Sequence, residues 1–165
     1  MNIDNSFEPV VFRDVPAGGF YLWERDGAIH PCIKVEAHGG HEDEVCGVVL
    51  NHPETGCPTL LLGTVFQRSN SVLLVRNAAL KPDGEPASFT FGNINQEPGM
   101  MVLNGQQMIM FVRSGRDDTS LVDVRSGQIL HDVPRNPRVG LSNWKIVLGS
   151  ERDAKLLFSF PPRMP

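Results

Sequence analysis

Tyrosine occurs once in these 165 residues, tryptophan twice and cysteine three times. An odd set of three (Cys32, Cys46 and Cys57) excludes a closed intrachain disulfide framework, so reduced thiols are expected. Were the chain exported, a 46–57 or 32–46 bridge would be open to it. Long apolar runs are missing as well: no uncharged stretch approaches the ~20 residues that a membrane-spanning helix needs. Neither charge sign dominates. Fifteen Lys and Arg against nineteen Asp and Glu leave a net −4, which gives no field to attract nucleic acid or acidic lipid. The opening Met1-Asn2-Ile3-Asp4-Asn5 has neither the basic nor the apolar segment of a secretory signal, so the expected compartment is the cytoplasm.

What is abundant is turn chemistry. Gly and Pro number 16 and 13 and are spread along the chain, above the average share of about 12%. Between them lie short apolar runs: 19–24, 29–35, 46–50, 59–62, 71–75 and 88–91, then 100–103, 108–113, 120–124, 128–130, 143–148 and 156–160. Runs of four to seven residues bounded by Gly, Pro, Asn, Asp and Ser predict strands. Asp26-Gly27, Thr55-Gly56, Asn104-Gly105 and Ser126-Gly127 read as hairpin turns. Helix signals are scarce. The stretch 64–81 lacks Gly and Pro, but its Val72-Leu73-Leu74-Val75 centre reads as a buried strand. Ser150–Asp153 could cap one helical turn or form a hairpin loop. The fold class is all-β.

An internal similarity organises these strands. Phe12-Arg13-Asp14-Val15 matches Phe91-Gly92-Asn93-Ile94, and Ile33-Lys34 matches Val112-Arg113. Val49-Leu50-Asn51 matches Leu121-Val122-Asp123, and 69–75 matches 142–148, with offsets of 71 to 79. The expected architecture is two tandem, similar, five-stranded SH3-like barrels, 1–84 and 85–165, packed together because each alone would be marginal. A single β-trefoil or sandwich is the alternative. On this alignment the first half carries about seven extra residues, including His38-Gly39-Gly40-His41-Glu42-Asp43-Glu44. Alternation along 30–35 puts Pro31, Ile33 and Val35 on one face and His30, Cys32 and Lys34 on the other. The matching Ile109 and Phe111 are apolar, so the second face should be covered, with the sister half as the expected cover.

Seven of the eight His and Cys residues fall within 30–57. His38 and His41, with Cys46 five positions on and His30 and Cys32 on the adjacent strand, form a candidate zinc set. With Glu42 or Glu44 as proton acceptor, it would suit metal-assisted hydrolysis. Against this, there is no CxxC and no HExxH, and the segment equally resembles a solvated acidic loop. Cys46 with His41, or Cys57 with His52, lacks any accompanying oxyanion motif. Arg135 and Arg138, with Trp144 and Lys145, outline a small-barrel nucleic-acid surface, yet Trp144 starts a buried strand and the charges are few. Tyr21 and Trp23 alternate with Phe20 and Leu22, so they mark either a strand buried on both faces or an aromatic anchor for a partner. The reading that results is a binding or interaction module without catalytic activity or cofactor, taking a protein or a small ligand, with a homodimer open. Its alternatives are the zinc site and the nucleic-acid surface.

Overall fold

The structure, a computed structural model, describes residues 6–37, 45–67, 71–84, 88–132, 139–149 and 152–161. Strands account for 54% and helices for 6%, so the chain is all-β, as its short apolar runs and turn residues indicate. Positive φ at Asp26 and Gly27 folds β2 (Phe20–Arg25) back on β3 (Ala28–Ala37), with Arg25 opposite Ala28. A turn through Gly105 does the same for β9 (Met101–Asn104) and β10 (Gln107–Arg113). Three strands flank the first hairpin: β1 (Phe7–Val10), β4 (Val45–Val49) and β6 (Val72–Val75), with β5 (Thr59–Leu62) beyond β4. The second hairpin is flanked by β8 (Phe89–Thr90), β11 (Thr119–Asp123) and β13 (Val139–Leu141), with β12 (Gln128–Leu130) beyond β11.

The two sets pair in the same order, β1-β6-β2-β3-β4-β5 against β8-β13-β9-β10-β11-β12. They also interlock. The parallel contact of β5 with β10 and that of β12 with β3 close a six-stranded ring, so neither half closes on itself. Corresponding backbone bonds fix the register. Glu36 N–H donates to Gly127 C=O at 2.7 Å, and Arg113 N–H to Pro58 C=O at 2.9 Å. Gly18 N–H donates to Lys34 C=O and Gly99 N–H to Phe111 C=O, both at 2.8 Å. Leu50 N–H reaches Pro31 C=O and Val124 N–H reaches Met108 C=O, both at 2.9 Å. A second sheet has the order β15 (Lys155–Phe160), β14 (Trp144–Leu148), β7 (Ala78–Pro82). Here β7 and β14 run antiparallel with Leu80 opposite Ile146, and these two residues are each other's counterparts.

This register corrects the residue matches read from sequence. Counterparts are Lys34 and Phe111 rather than Lys34 and Arg113. Likewise β6 corresponds to β13, and β14 to β7 rather than to 69–75. The paired ends Glu36–Val45 and Arg113–Thr119 are nine and six positions apart, so the connection holding His38 and His41 is three residues longer, not seven. Residues 152–153 sit in the β14–β15 hairpin connection, the second of the two readings of that segment.

Ile33 and Val35 face the ring interior with Cys46, Val48, Met110, Val112 and Val122. The opposite face is covered as expected, but by its own half. The one-turn 3-10 helix Phe12–Asp14 and α1 (Gly63–Gln67) bury Cys32 beneath Phe12, Tyr21, Trp23 and Phe66. Phe66 meets Phe12, Tyr21 and Trp23 at centroid distances of 4.9, 5.7 and 4.8 Å. On that face Lys34 is buried, its ammonium donating to the Arg13 carbonyl at 2.8 Å and lying 5.4 Å from the Phe12 ring. Burial lowers its pKa, against the opposing pull of Glu36 and Asp14.

The seam between halves leaves no room for side chains at two glycines. A Cβ on Gly127 (φ +69°) would fall on backbone atoms of Ala17, Gly18 and Lys34, and one on Gly18 (φ +74°) would meet the Arg125 carbonyl. Gly127→Ala is therefore expected to cost about 2–4 kcal/mol, from left-handed strain plus overpacking against backbone that cannot yield. Gly27→Ala, with similar φ and nothing within 4 Å, should cost only about 1–2 kcal/mol. Equal losses for the two in urea unfolding would contradict the close seam.

Candidate functional site

Most of the candidate residues found from sequence are taken up in packing. Tyr21 and Trp23 are 0% and 3% exposed, holding the helical cover in place rather than presenting an aromatic pair to solvent. Tyr21 and Cys32 face each other across β2 and β3, and burial pushes both the phenol and the thiol well above their ordinary pKa values. Cys46, paired with Val35, points into the ring, whereas Cys32 lies on the outer face. The wall of the barrel separates these two thiols, so they do not converge on one ion. Ring-to-ring, His30 sits 5.9 Å from Trp23. His38, His41, Arg135 and Arg138 lie outside the described residues. Among the described residues, no group of three His, Cys, Asp or Glu comes together as a metal site.

His52 sits in the connection from β4 to β5. It is buried, with its Nδ1 lacking a hydrogen-bond partner among the described residues. Burial lowers its pKa, opposed by Glu54 and assisted by the charges of Arg25 and His30. Thr55 and Thr59 hydroxyls, 2.8 Å apart, tie the same loop to the start of β5. Among the described residues, neither a hydroxyl nor a thiol donates to the His52 Nδ1.

The feature that sequence reading missed is a cavity of about 280 Å³ between the ring and the three-stranded sheet. Phe20, Ile33, Ala78 and Leu80 line it from the first half, and Met108, Val124 and Ile146 from the second. Gly18 and Arg125 form its rim, where the close backbone approach of the seam brings them together. Arg125 is the one charged residue of the lining, and its guanidinium donates to the Gln106 carbonyl at 2.6 Å. Below it Asp123, itself buried, accepts from the Arg125 N–H at 3.1 Å and the Ser126 hydroxyl at 3.0 Å, which fixes the turn that carries the rim. Apart from Arg125, the side chains of the lining are apolar. They offer no carboxylate, imidazole or thiol for acid–base or nucleophilic chemistry.

The space lies beside Ala78 of β7. The position matching Ala78 is Trp144, whose indole is fully buried in the same core as Met101, Met110 and Leu50. Its Nε1–H donates to the Gly99 carbonyl at 2.8 Å. Phe160 of β15 stacks on it at 5.3 Å and 13°, with Phe158 tilted at 5.6 Å. At the matched position of β7 stands Ala78, a lining residue of the cavity. Compared with known proteins, the chain matches no family model, no curated sequence and no solved structure.

Thiol chemistry checks these placements. With Ellman's reagent at neutral pH, the native protein should expose one thiol, the partly accessible Cys57, and release those of Cys32 and Cys46 only in denaturant. Modification of native Cys46 at a rate matching Cys57 would contradict its interior position.

Proposed function

We propose that this chain is a small-molecule binding module with no chemistry of its own, and that its ligand sits in the cavity between the ring and the three-stranded sheet. The observation that carries this reading is the cavity itself: a recess of about 280 Å³, open on one side and lined by apolar side chains from both 1–84 and 85–165. Concave, mostly preformed recesses lined by apolar side chains with a few polar groups are where small molecules bind. An apolar cavity of about 150 Å³ already accepts benzene. Ligand sites also favour the contact between structural units, where two rigid walls meet without a loop having to order itself.

The same reading takes 1–84 and 85–165 as two copies of one plan. Matched bonds such as Glu36 to Gly127 and Arg113 to Pro58 support it. Duplication followed by divergence at one core position would create such a site without weakening either wall.

Toluene is a suitable probe. Its titration, followed by amide chemical shifts, is expected to give saturable changes clustered at Gly18, Phe20, Leu80 and Arg125. Ala78→Trp should abolish them while leaving the rest of the spectrum in place. Shifts that fail to saturate, or that gather elsewhere, would overturn the assignment.

A further inference from the structure

Resting on that reading, the correspondence with Trp144 narrows the ligand class. We infer that the cavity takes a flat, fused aromatic heterocycle bearing a ring N–H, an indole-like small molecule, with the Gly18 carbonyl as acceptor for that N–H. Three observations lead there.

First, the backbones around the two positions are the same. Gly18 N–H donates to Lys34 C=O and Gly19 N–H to Pro16 C=O. Gly99 N–H donates to Phe111 C=O and Met100 N–H to Glu97 C=O. Both glycines have positive φ, +74° and +97°. The Gly18 carbonyl thus occupies the place of the Gly99 carbonyl, and it is the latter that holds the indole N–H of Trp144 at 2.8 Å. Second, the strands that would carry an indole differ at one matched position. On β14 it is Trp144, and on β7 it is Ala78. The second side supplies its own ring covalently; on the first side, no ring stands at that position among the described residues.

Third, the two sides differ in their cover. β15 runs along the outer edge of β14 and lays Phe160 and Phe158 over the indole. β7 is the edge strand of that sheet, and no described strand lies along its free side. The cavity therefore has a side from which a ring can enter. A fused bicycle fits a space of about 280 Å³, since a cavity of about half that volume holds a single ring.

Hydrogen-bond selectivity sets the expected magnitude. A carbonyl left without its donor loses a bond whose net contribution is about 1 kcal/mol, or five- to tenfold in affinity. Indole, its N-methyl derivative and benzothiophene share shape and apolar area, yet only indole has the donor. By calorimetry, indole is expected to bind about five- to tenfold more tightly than benzothiophene and 1-methylindole. The Gly18 carbonyl 13C resonance should move with indole and stay with benzothiophene. Ala78→Trp should eliminate all binding, and Ala78→Leu, a milder filling of the same space, should weaken it. Equal affinities and an unmoved Gly18 carbonyl would overturn the N–H assignment while toluene binding kept the cavity as a ligand site. Failure of indole and toluene alike would overturn both.

Discussion

Each half of this protein needs the other to satisfy its backbone. A strand edge that finds no partner leaves amide and carbonyl groups exposed, and here β5 and β12 find theirs only across the molecule, on β10 and β3. Those two short parallel contacts turn what would be a pair of open sheets into a closed ring. They bring Gly18, Gly127 and the Arg125 carbonyl into near contact, and they bring both halves' core residues into one buried cluster. The cavity is a consequence of the same closure, because its walls come from both halves and its rim lies at their seam.

Matched backbone bonds carry unlike side chains. At one matched pair, Lys34 stands for Phe111, and the buried ammonium caps the carbonyl of the one-turn helix that covers the first half. No cation is needed on the other side, where Phe111 packs with Val102 and Ile109. At the second pair, Ala78 stands for Trp144. Exchanging a large aromatic for a methyl opens space without moving the scaffold, provided that the surrounding strands are held by their own hydrogen bonds. That condition is met by the bonds from Asp83 N–H to Asn143 C=O and from Gly149 N–H to Asn77 C=O, which pin both ends of the β7–β14 pair.

Much of the strand pattern was legible in the residues. Alternation separated Ile33 and Val35 from Cys32 and Lys34 and led to the expectation that both faces are covered, and Asp26-Gly27 announced its hairpin. β1, β7 and β13 were not legible, for physical reasons. Pro9 interrupts the first, which is viable only as an edge strand. Ala78-Ala79-Leu80-Lys81-Pro82 has no β-branched or aromatic residue, and Val139-Gly140-Leu141 is too short to show a period. The single helical turn at 63–67 exists because Phe66 docks among Phe12, Tyr21 and Trp23, a long-range contact that local propensity does not encode. Matching by side-chain identity also misaligned the halves, since what they share is backbone register, while Lys34 and Phe111 or Ala78 and Trp144 share no chemistry. The cavity was invisible for the same reason: an alanine signals a void only once its matched residue on β14 is known to be tryptophan.

Cooperativity is the direct test of interlocking. Trp144→Phe leaves Trp23 as the only indole, in the first half, and Trp23→Phe leaves only Trp144, in the second. In each variant, urea unfolding followed by tryptophan fluorescence should coincide in midpoint and slope with unfolding followed by far-ultraviolet circular dichroism. Coincidence in both variants is the result expected of one ring built from two halves. A fluorescence transition displaced from the dichroism curve, early in one variant and late in the other, would mean that the halves fold separately.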